Sequence, residues 1–256
     1  MPQPLSLAGD RATRLATIRA AFPQLDGPDC SFVGGRTAAM ARLAKIDPVA
    51  YDKSRNFLDG AVTRLSPYLR HGCITLGEAR MHALAGWSPQ RAWKFIFELA
   101  WRDFWRRVWK SLGPAIRKDV EKPKVTLGHA PLPDDIRRGE TGLPCMDATV
   151  RSLVDEGYVH NHARMWFAAY CVHFRKLSWR ACADWFVGHL IDGDLASNHL
   201  SWQWVASTFG SKPYIFNKEN VAKYSANRWC ATCTADCPFD ASYPALSKRL
   251  FGTETP

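Results

Sequence analysis

Leu190 to Phe216 reads LIDGDLASNHLSWQWVASTFGSKPYIF, and this run decides more about the chain than any other. It sets two carboxylates two residues apart, Asp192 and Asp194, then an amide at Asn198 and two indoles at Trp202 and Trp204. A helix whose only task is packing has no use for Asp, Asp and Asn beside that much aromatic surface, because a buried carboxylate without a partner is costly. The pattern suits a pocket for a large, flat ligand with polar edges.

Around that run lie 256 residues, enough to bury a sizeable core. The 34 Lys and Arg against 24 Asp and Glu give a formal charge of +10, a surplus that suits a polyanion, nucleic acid first. A merely basic protein would show the same pI, but the eleven tryptophans beside so many arginines are what base stacking uses. The start, MPQPLSLAGDRATRL, holds no apolar signal core, and no 18-residue apolar run follows. The expectation is a cytoplasmic monomer with no membrane partner. In a reducing compartment the eight cysteines are thiols or metal ligands before they are disulfides.

Apolar residues at i, i+3, i+4 and i+7 predict helices over Ala38–Ile46, Thr75–Ala85, Pro89–Leu112, Met146–Glu156, His160–Phe174 and Trp179–Leu190. Strand-type alternation is almost absent, so the expected fold is all-α. Residues 1–35 read as an irregular lead-in, 36–225 as the helical domain, and 226–256 as a cysteine-containing tail packed on it. Five prolines between 113 and 144 predict a long connection with short helical turns.

Four segments in order, YDKSRNFLDGAVTRLSPYLRHGCIT, FELAWRDFW, GYVHNHARMW and the opening run, resemble the FAD-binding helical domain of the DNA photolyase/cryptochrome family. The resemblance covers about residues 34–225. It implies a short form that lacks the family's N-terminal α/β antenna domain. It also implies FAD, held as FADH⁻. Thr63, Arg64, Leu65 and Ser66 would offer hydroxyl and backbone donors to the cofactor phosphates, although alone they also fit an ordinary helix cap. Tyr51 would lie on the phosphate or adenine side. Asp192 and Asp194 would accept from ring or ribitol groups, Arg164 would pair with Asp192, and Asn198 would face flavin N5.

On the substrate side, Glu98, Trp101, Arg102 and Trp105 form one helical stripe. Such a stripe is usually core, but Glu and Arg within it point to a liganded face. The resemblance implies that Glu98 hydrogen-bonds a damaged pyrimidine pair flipped from UV-damaged DNA, on which Trp101 and Trp204 stack. Arg102 would meet cofactor or DNA phosphate. Asn161 and Met165 occupy the positions that separate cyclobutane-dimer enzymes from those acting on 6-4 lesions, which carry a histidine acid at the first. Trp202 and Trp179 match the proximal and middle members of the family's tryptophan relay. The third position is Ile136, where the chain departs from the pattern, and Trp166 and Trp185 are the nearest substitutes in sequence.

Cys230, Cys233 and Cys237 stand in a C-x2-C-x3-C arrangement, which points to a metal site. CPFDASYPALSKRL resembles the tail of the iron–sulfur bacterial branch of the family, with a shorter gap before the last cysteine. That branch implies Cys145 as the fourth ligand, and a [4Fe–4S] cluster, zinc and plain thiols all stay open. The functional expectation is a carbon–carbon lyase that uses reduced FAD and light to split cyclobutane pyrimidine dimers. The alternatives are a cryptochrome-like blue-light photoreceptor without repair activity and a metal-stabilised nucleic-acid-binding module.

Overall fold

In the computed structural model, which describes residues 5–24 and 30–252, helices carry the whole architecture. In chain order they are α1 (Arg11–Ala21), α2 (Arg36–Leu43), α3 (Pro48–Ser54), α4 (Ser66–Arg70), α5 (Leu76–Gly86), α6 (Pro89–Leu112), α7 (Asp134–Arg137), α8 (Pro144–Glu156), α9 (Asn161–Ala169), α10 (Trp179–His189), α11 (Leu195–Ala206), α12 (Lys218–Tyr224) and α13 (Tyr243–Phe251). No strand forms among the described residues; one isolated parallel bridge joins Ala130 to Leu177. No described helix is long and apolar enough to cross a membrane.

Local chemistry sets the helix ends. Thr75 and Glu78 close a capping box on α5. Ser88 caps α6, with Pro89 pre-set for its first turn. Gly157 ends α8 in the left-handed conformation. The segment expected as one helix over 160–174 divides instead. His160 caps α9, and after Ala169 the backbone widens into a π turn over Tyr170–Phe174.

Residues 11–21 correct the irregular lead-in. Asp10 accepts from the Thr13 N–H at 2.8 Å, and Arg11 ties α1 to the carbonyls of Cys30 and Phe32. No residue of α1 is buried, so no apolar stripe marked it in the sequence. The run that suggested a pocket rather than a packing helix contains α11, which packs on α10, α9 and α6. Its Ala196, Leu200, Val205 and Ala206 are buried together with the polar Asn198, His199 and Gln203. With apolar and polar side chains buried round most of its circumference and Trp204 at the surface, α11 leaves no one-faced periodicity to read.

Two apolar cores result. One joins α2, α4, α5 and the start of α6 through Ala39, Leu43, Tyr68, Ile74 and Phe95. The larger joins α8 to α12 through Met146, Leu153, Trp166, Phe167, Phe186 and Phe216, with Phe239 and Cys237 of the tail packed on it. α6 and α11 meet between them around Trp105 and Leu200. The seam between these cores is where the cavity opens.

Two histidines give this packing a pH dependence. His173 lies buried, its Nε2–H donating to the Val205 carbonyl at 2.8 Å, and His160 is largely enclosed at the start of α9. Burial pushes both down to about 4 from the ordinary 6.5. With folded values below unfolded ones, their contribution to stability is complete above about pH 6.5 and is lost as pH falls toward about 4. The thermal midpoint should therefore drop across that window. His173→Gln should flatten the drop, and an unchanged pH slope in this variant would contradict the assignment.

Candidate functional site

A cavity of about 640 Å³ lies between the two cores, within the size range of cofactor sites. Leu65, Leu69 and Phe95 of the first core and Ala168, Phe186 and Trp202 of the second form its apolar walls. Five cationic side chains and three anionic ones line it, a positive balance that suits a phosphorylated ligand. Every cofactor-side and substrate-side residue named from the sequence lines this one cavity. Trp179 and the four cysteines lie outside it.

The floor is built on the turn between α10 and α11. Asp192, 5% exposed, accepts from Ser66 Oγ at 2.6 Å and from Arg164 Nη2 at 2.8 and 3.0 Å. Asp194 caps α11 by accepting from the Ser197 N–H at 2.9 Å, and faces Arg102 at 3.2 Å and Arg106 at 3.3 Å. Burial alone would raise the Asp194 carboxyl, but the Ser197 N–H and the Arg102 charge outweigh it and hold it below the usual carboxylate range. Gly193 sits between them because a Cβ there would meet the Val187 carbonyl at 2.9 Å. Arg70 and His71 donate to the Gly193 and Ile191 carbonyls, fixing the turn from the far side.

Three polar atoms lining the cavity are buried without a partner: Arg64 Nε, Arg102 Nε and Ser197 Oγ. A buried donor left unsatisfied costs about 1–3 kcal/mol, so this donor set fits a ligand that brings phosphate or ring-edge acceptors. Arg64 holds φ 50° and lies 4.6 Å from the Tyr158 ring and 4.7 Å from Phe32. Ser66 does not cap α4 as the sequence allowed; its hydroxyl is spent on Asp192. Asn198 Nδ2 donates to the Ala183 carbonyl at 2.9 Å, which locks its amide plane beside the cavity. Tyr51 packs edge-on to Phe95 at 5.6 Å.

The mouth is different in character. Trp101 and Trp204 are each 39% exposed and line the opening, while Trp105 behind them is buried. Glu98 stands between Lys94 Nζ at 2.7 Å and Arg55 Nε at 3.8 Å. Asn161 Nδ2 approaches Met165 Sδ at 3.9 Å on the first turn of α9. His160 and His162, which flank Asn161, turn away from the cavity, His162 toward the Asn56 carbonyl. Sequence reasoning missed Arg55, Lys94 and Arg106. Lys94 and Arg106 each stand one helical turn from a residue already named, Glu98 and Arg102, and that spacing was their available signal.

Trp202 is buried against Phe186 at 5.8 Å and Phe167 at 6.3 Å. Trp179, also buried, donates its indole N–H to Asp119 at 2.8 Å and lies under the Arg180 guanidinium. Ile136, which the resemblance matched to the third relay tryptophan, is fully buried as apolar filling of the larger core. Trp166 spends its N–H on Asn220, whereas Trp185 is half-buried and 6.2 Å from Phe167.

Cys145, Cys230, Cys233 and Cys237 surround a separate void of about 20 Å³ closed by Trp229, Lys218 and Phe239. Burial, then the neighbouring Cys230 and Cys237, push the Cys145 thiol up to about 12. Among the described residues no three His, Cys, Asp or Glu side chains close onto a single metal ion. The four thiols share a void without forming the tight tetrahedron of a zinc site, whose Zn–S bonds are about 2.3 Å. Cys171 and Cys182 are fully buried elsewhere, as structural cysteines should be.

Residues 95–232 match the family described as the FAD binding domain of DNA photolyase. The deoxyribodipyrimidine photo-lyase of Streptomyces griseus is 35% identical over 62% of this chain and 35% of its own length. The cryptochrome DASH of Danio rerio is 32% identical over 82% of this chain and 41% of its own. The solved structure of a Synechocystis cryptochrome superposes with a TM-score of 0.69 at 27% identity, covering 80% of this chain and 47% of that one. The chain thus spans half or less of the length of the relatives it matches. The match to the family over more than half of the sequence, on a helical fold with this cavity at its centre, shows that the chain belongs to the DNA photolyase/cryptochrome family and carries its FAD-binding domain.

Proposed function

We propose that this chain is a light-driven DNA repair lyase that splits cyclobutane pyrimidine dimers with reduced FAD. The observation that carries the reading is a single cavity with two chemically distinct ends. One end is a buried floor of paired carboxylates and unpartnered donors; the other is an open mouth of exposed indoles beside Glu98 and Asn161. A receptor for light alone has no use for the second end.

Ser66, Arg64, Arg102 and Ser197 would donate to the cofactor's phosphates and ribitol, and Asp192 and Asp194 would accept from its polar edges. When bound and reduced, FAD supplies an excitable one-electron donor. Asn198, its amide fixed by Ala183, would set which protonation state that ring holds. Trp101 and Trp204 would stack the flipped dimer against the opening and exclude water from it. Glu98 would hydrogen-bond the pyrimidine carbonyls and stabilise the dimer radical anion, with Lys94 and Arg55 orienting its carboxyl. Asn161 would bind without acid chemistry, which suits a reaction that breaks two C–C bonds and moves no hydroxyl or amine. Met165 would pack against the dimer. Trp202, which lines the cavity, and Trp179, buried outside it, would pass electrons to the cofactor. The reading implies UV-damaged DNA as partner and a cytoplasmic monomer as the acting form.

The photoreceptor reading has one observation in its favour: relatives named cryptochrome DASH match nearly as well as those named photo-lyase. Illuminating the reduced protein with dimer-containing DNA separates the two. Thymine should be recovered while 6-4 lesions persist, and Trp204→Ala should weaken lesion binding about 5- to 100-fold, the range of one base–aromatic stack. No recovery under blue or near-UV light, with FAD bound and reduced, would sink the repair assignment.

We propose a [4Fe–4S] cluster in preference to zinc at these cysteines, because the donor set round the void is four thiols with no histidine or carboxylate. Anaerobically purified protein should hold about four iron atoms, and Cys145→Ser should lose most of them. Stoichiometric zinc in place of iron would reverse this choice.

A further inference from the structure

Of the five cationic side chains that line the cavity, four face carboxylates. Arg55 meets Asp52 at 3.2 Å, Lys94 meets Glu98 at 2.7 Å, Arg102 meets Asp194 at 3.2 Å and Arg164 meets Asp192 at 2.8 Å. Among the described residues Arg64 meets no carboxylate, and its Nε is buried without an acceptor. Two rings hold it instead. Its guanidinium carbon lies 4.7 Å from the centre of Phe32 and 4.6 Å from that of Tyr158. Those rings are 5.3 Å apart and tilted 46°, so the guanidinium rests in the notch between them.

The manner of holding matters chemically. A ring attracts a cation electrostatically and consumes none of its N–H donors. Arg164 has spent donors on the Val159 carbonyl and on Asp192, whereas Arg64 keeps its planar fork for an acceptor that arrives with a ligand. Such a fork matches phosphate oxygens. Charge agrees: Arg42 lies 5.7 Å from Phe32 and Arg164 5.4 Å from Tyr158, so three guanidinium groups crowd the two rings. Phe32 itself does not line the cavity. Its segment is pinned on three sides, by Arg11 of α1 to the Cys30 and Phe32 carbonyls, by Tyr68 Oη to the Val33 carbonyl at 2.8 Å, and by Ser31 Oγ to Glu156 of α8 at 2.6 Å. A ring so anchored is a fixed wall for the guanidinium.

We infer that Phe32 is a positioning residue for the cofactor, lodging Arg64 against Tyr158 so that the guanidinium edge is presented to the cofactor's phosphates. The inference rests on the reading that FAD lies with its phosphates toward Arg64. It gives the lead-in ahead of the helical domain a part in cofactor binding that its sequence did not suggest.

The test is binding, not turnover. FAD and riboflavin, which lacks the phosphates, are titrated into the full-length apoprotein and followed by flavin fluorescence. Phe32→Leu should weaken FAD about 5- to 30-fold, the worth of one partly desolvated cation–π contact, and leave riboflavin affinity as in wild type. On an Arg64→Gln background the same substitution should cost little, because the contact it removes is already gone. Phe32→Tyr keeps the ring and should keep the affinity. Phe32→Met, also apolar and ring-free, repeats the measurement if the leucine variant does not fold. Equal losses in both backgrounds, or for FAD and riboflavin alike, would make Phe32 ordinary packing and overturn the inference. Should Arg64→Gln itself leave FAD affinity unchanged, the placement of the phosphates fails. Should it lower FAD affinity while Phe32→Leu does not, the positioning role alone fails.

Discussion

Two carboxylates separated by one glycine govern this structure. Asp192 and Asp194 are both buried, and each would be prohibitively costly there as a lone charge. Each therefore recruits cations and hydroxyls from distant segments: Ser66 from α4 and Arg164 from α9 for the first, Arg102 and Arg106 from α6 for the second. These four partners tie together the elements that bound the cavity, two of them drawn from opposite apolar cores. The ion pairs fix geometry more than they add net stability. Replacing them with apolar side chains could give an equally stable protein, but it would lack the polar floor.

The same arrangement explains why the cavity has two ends. α6 contributes to both, because its stripe turns from Arg102 and Trp105, facing inward, to Glu98 and Trp101 at the opening. α11 does likewise, from Asn198 and Trp202 on the inside to Trp204 at the rim. Two helices crossing the seam between cores thus hold the buried floor and the open mouth of the cavity in one frame. Arg64 Nε, Arg102 Nε and Ser197 Oγ remain as donors whose partner must come from a ligand.

Much of this was legible in the sequence where chemistry and spacing agree. The Asp–Gly–Asp turn, the Glu98–Trp101–Arg102 stripe and the Asn161–Met165 pair all line the one cavity, and α6 runs over the residues its apolar period predicts. Legibility failed where the signal is not periodic. α1 buries no residue and is held by a cap, and α11 buries polar and apolar residues round most of its circumference, so neither shows a one-faced pattern. The roles of Arg106, Lys94 and Arg55 depend on which carboxylate each meets across the fold. Residues 113–144 fold by proline-set turns, and within them Ile136 fills the core where a relay tryptophan was sought. Cys145, Cys230, Cys233 and Cys237 line one small void, and that meeting is a tertiary fact no spacing supplies.

The central claim is that the seam between the two cores is an FAD site completed by ligand. Thermal unfolding of the apoprotein with increasing FAD tests it most directly. At about a hundredfold excess over Kd, binding contributes about 2.7 kcal/mol, which for a chain of this size raises the midpoint by about 5–10 °C. Asp194→Ala, which leaves Arg102 and Arg106 without their counter-charge, should abolish most of that rise. A midpoint indifferent to FAD in the wild-type protein would contradict the account.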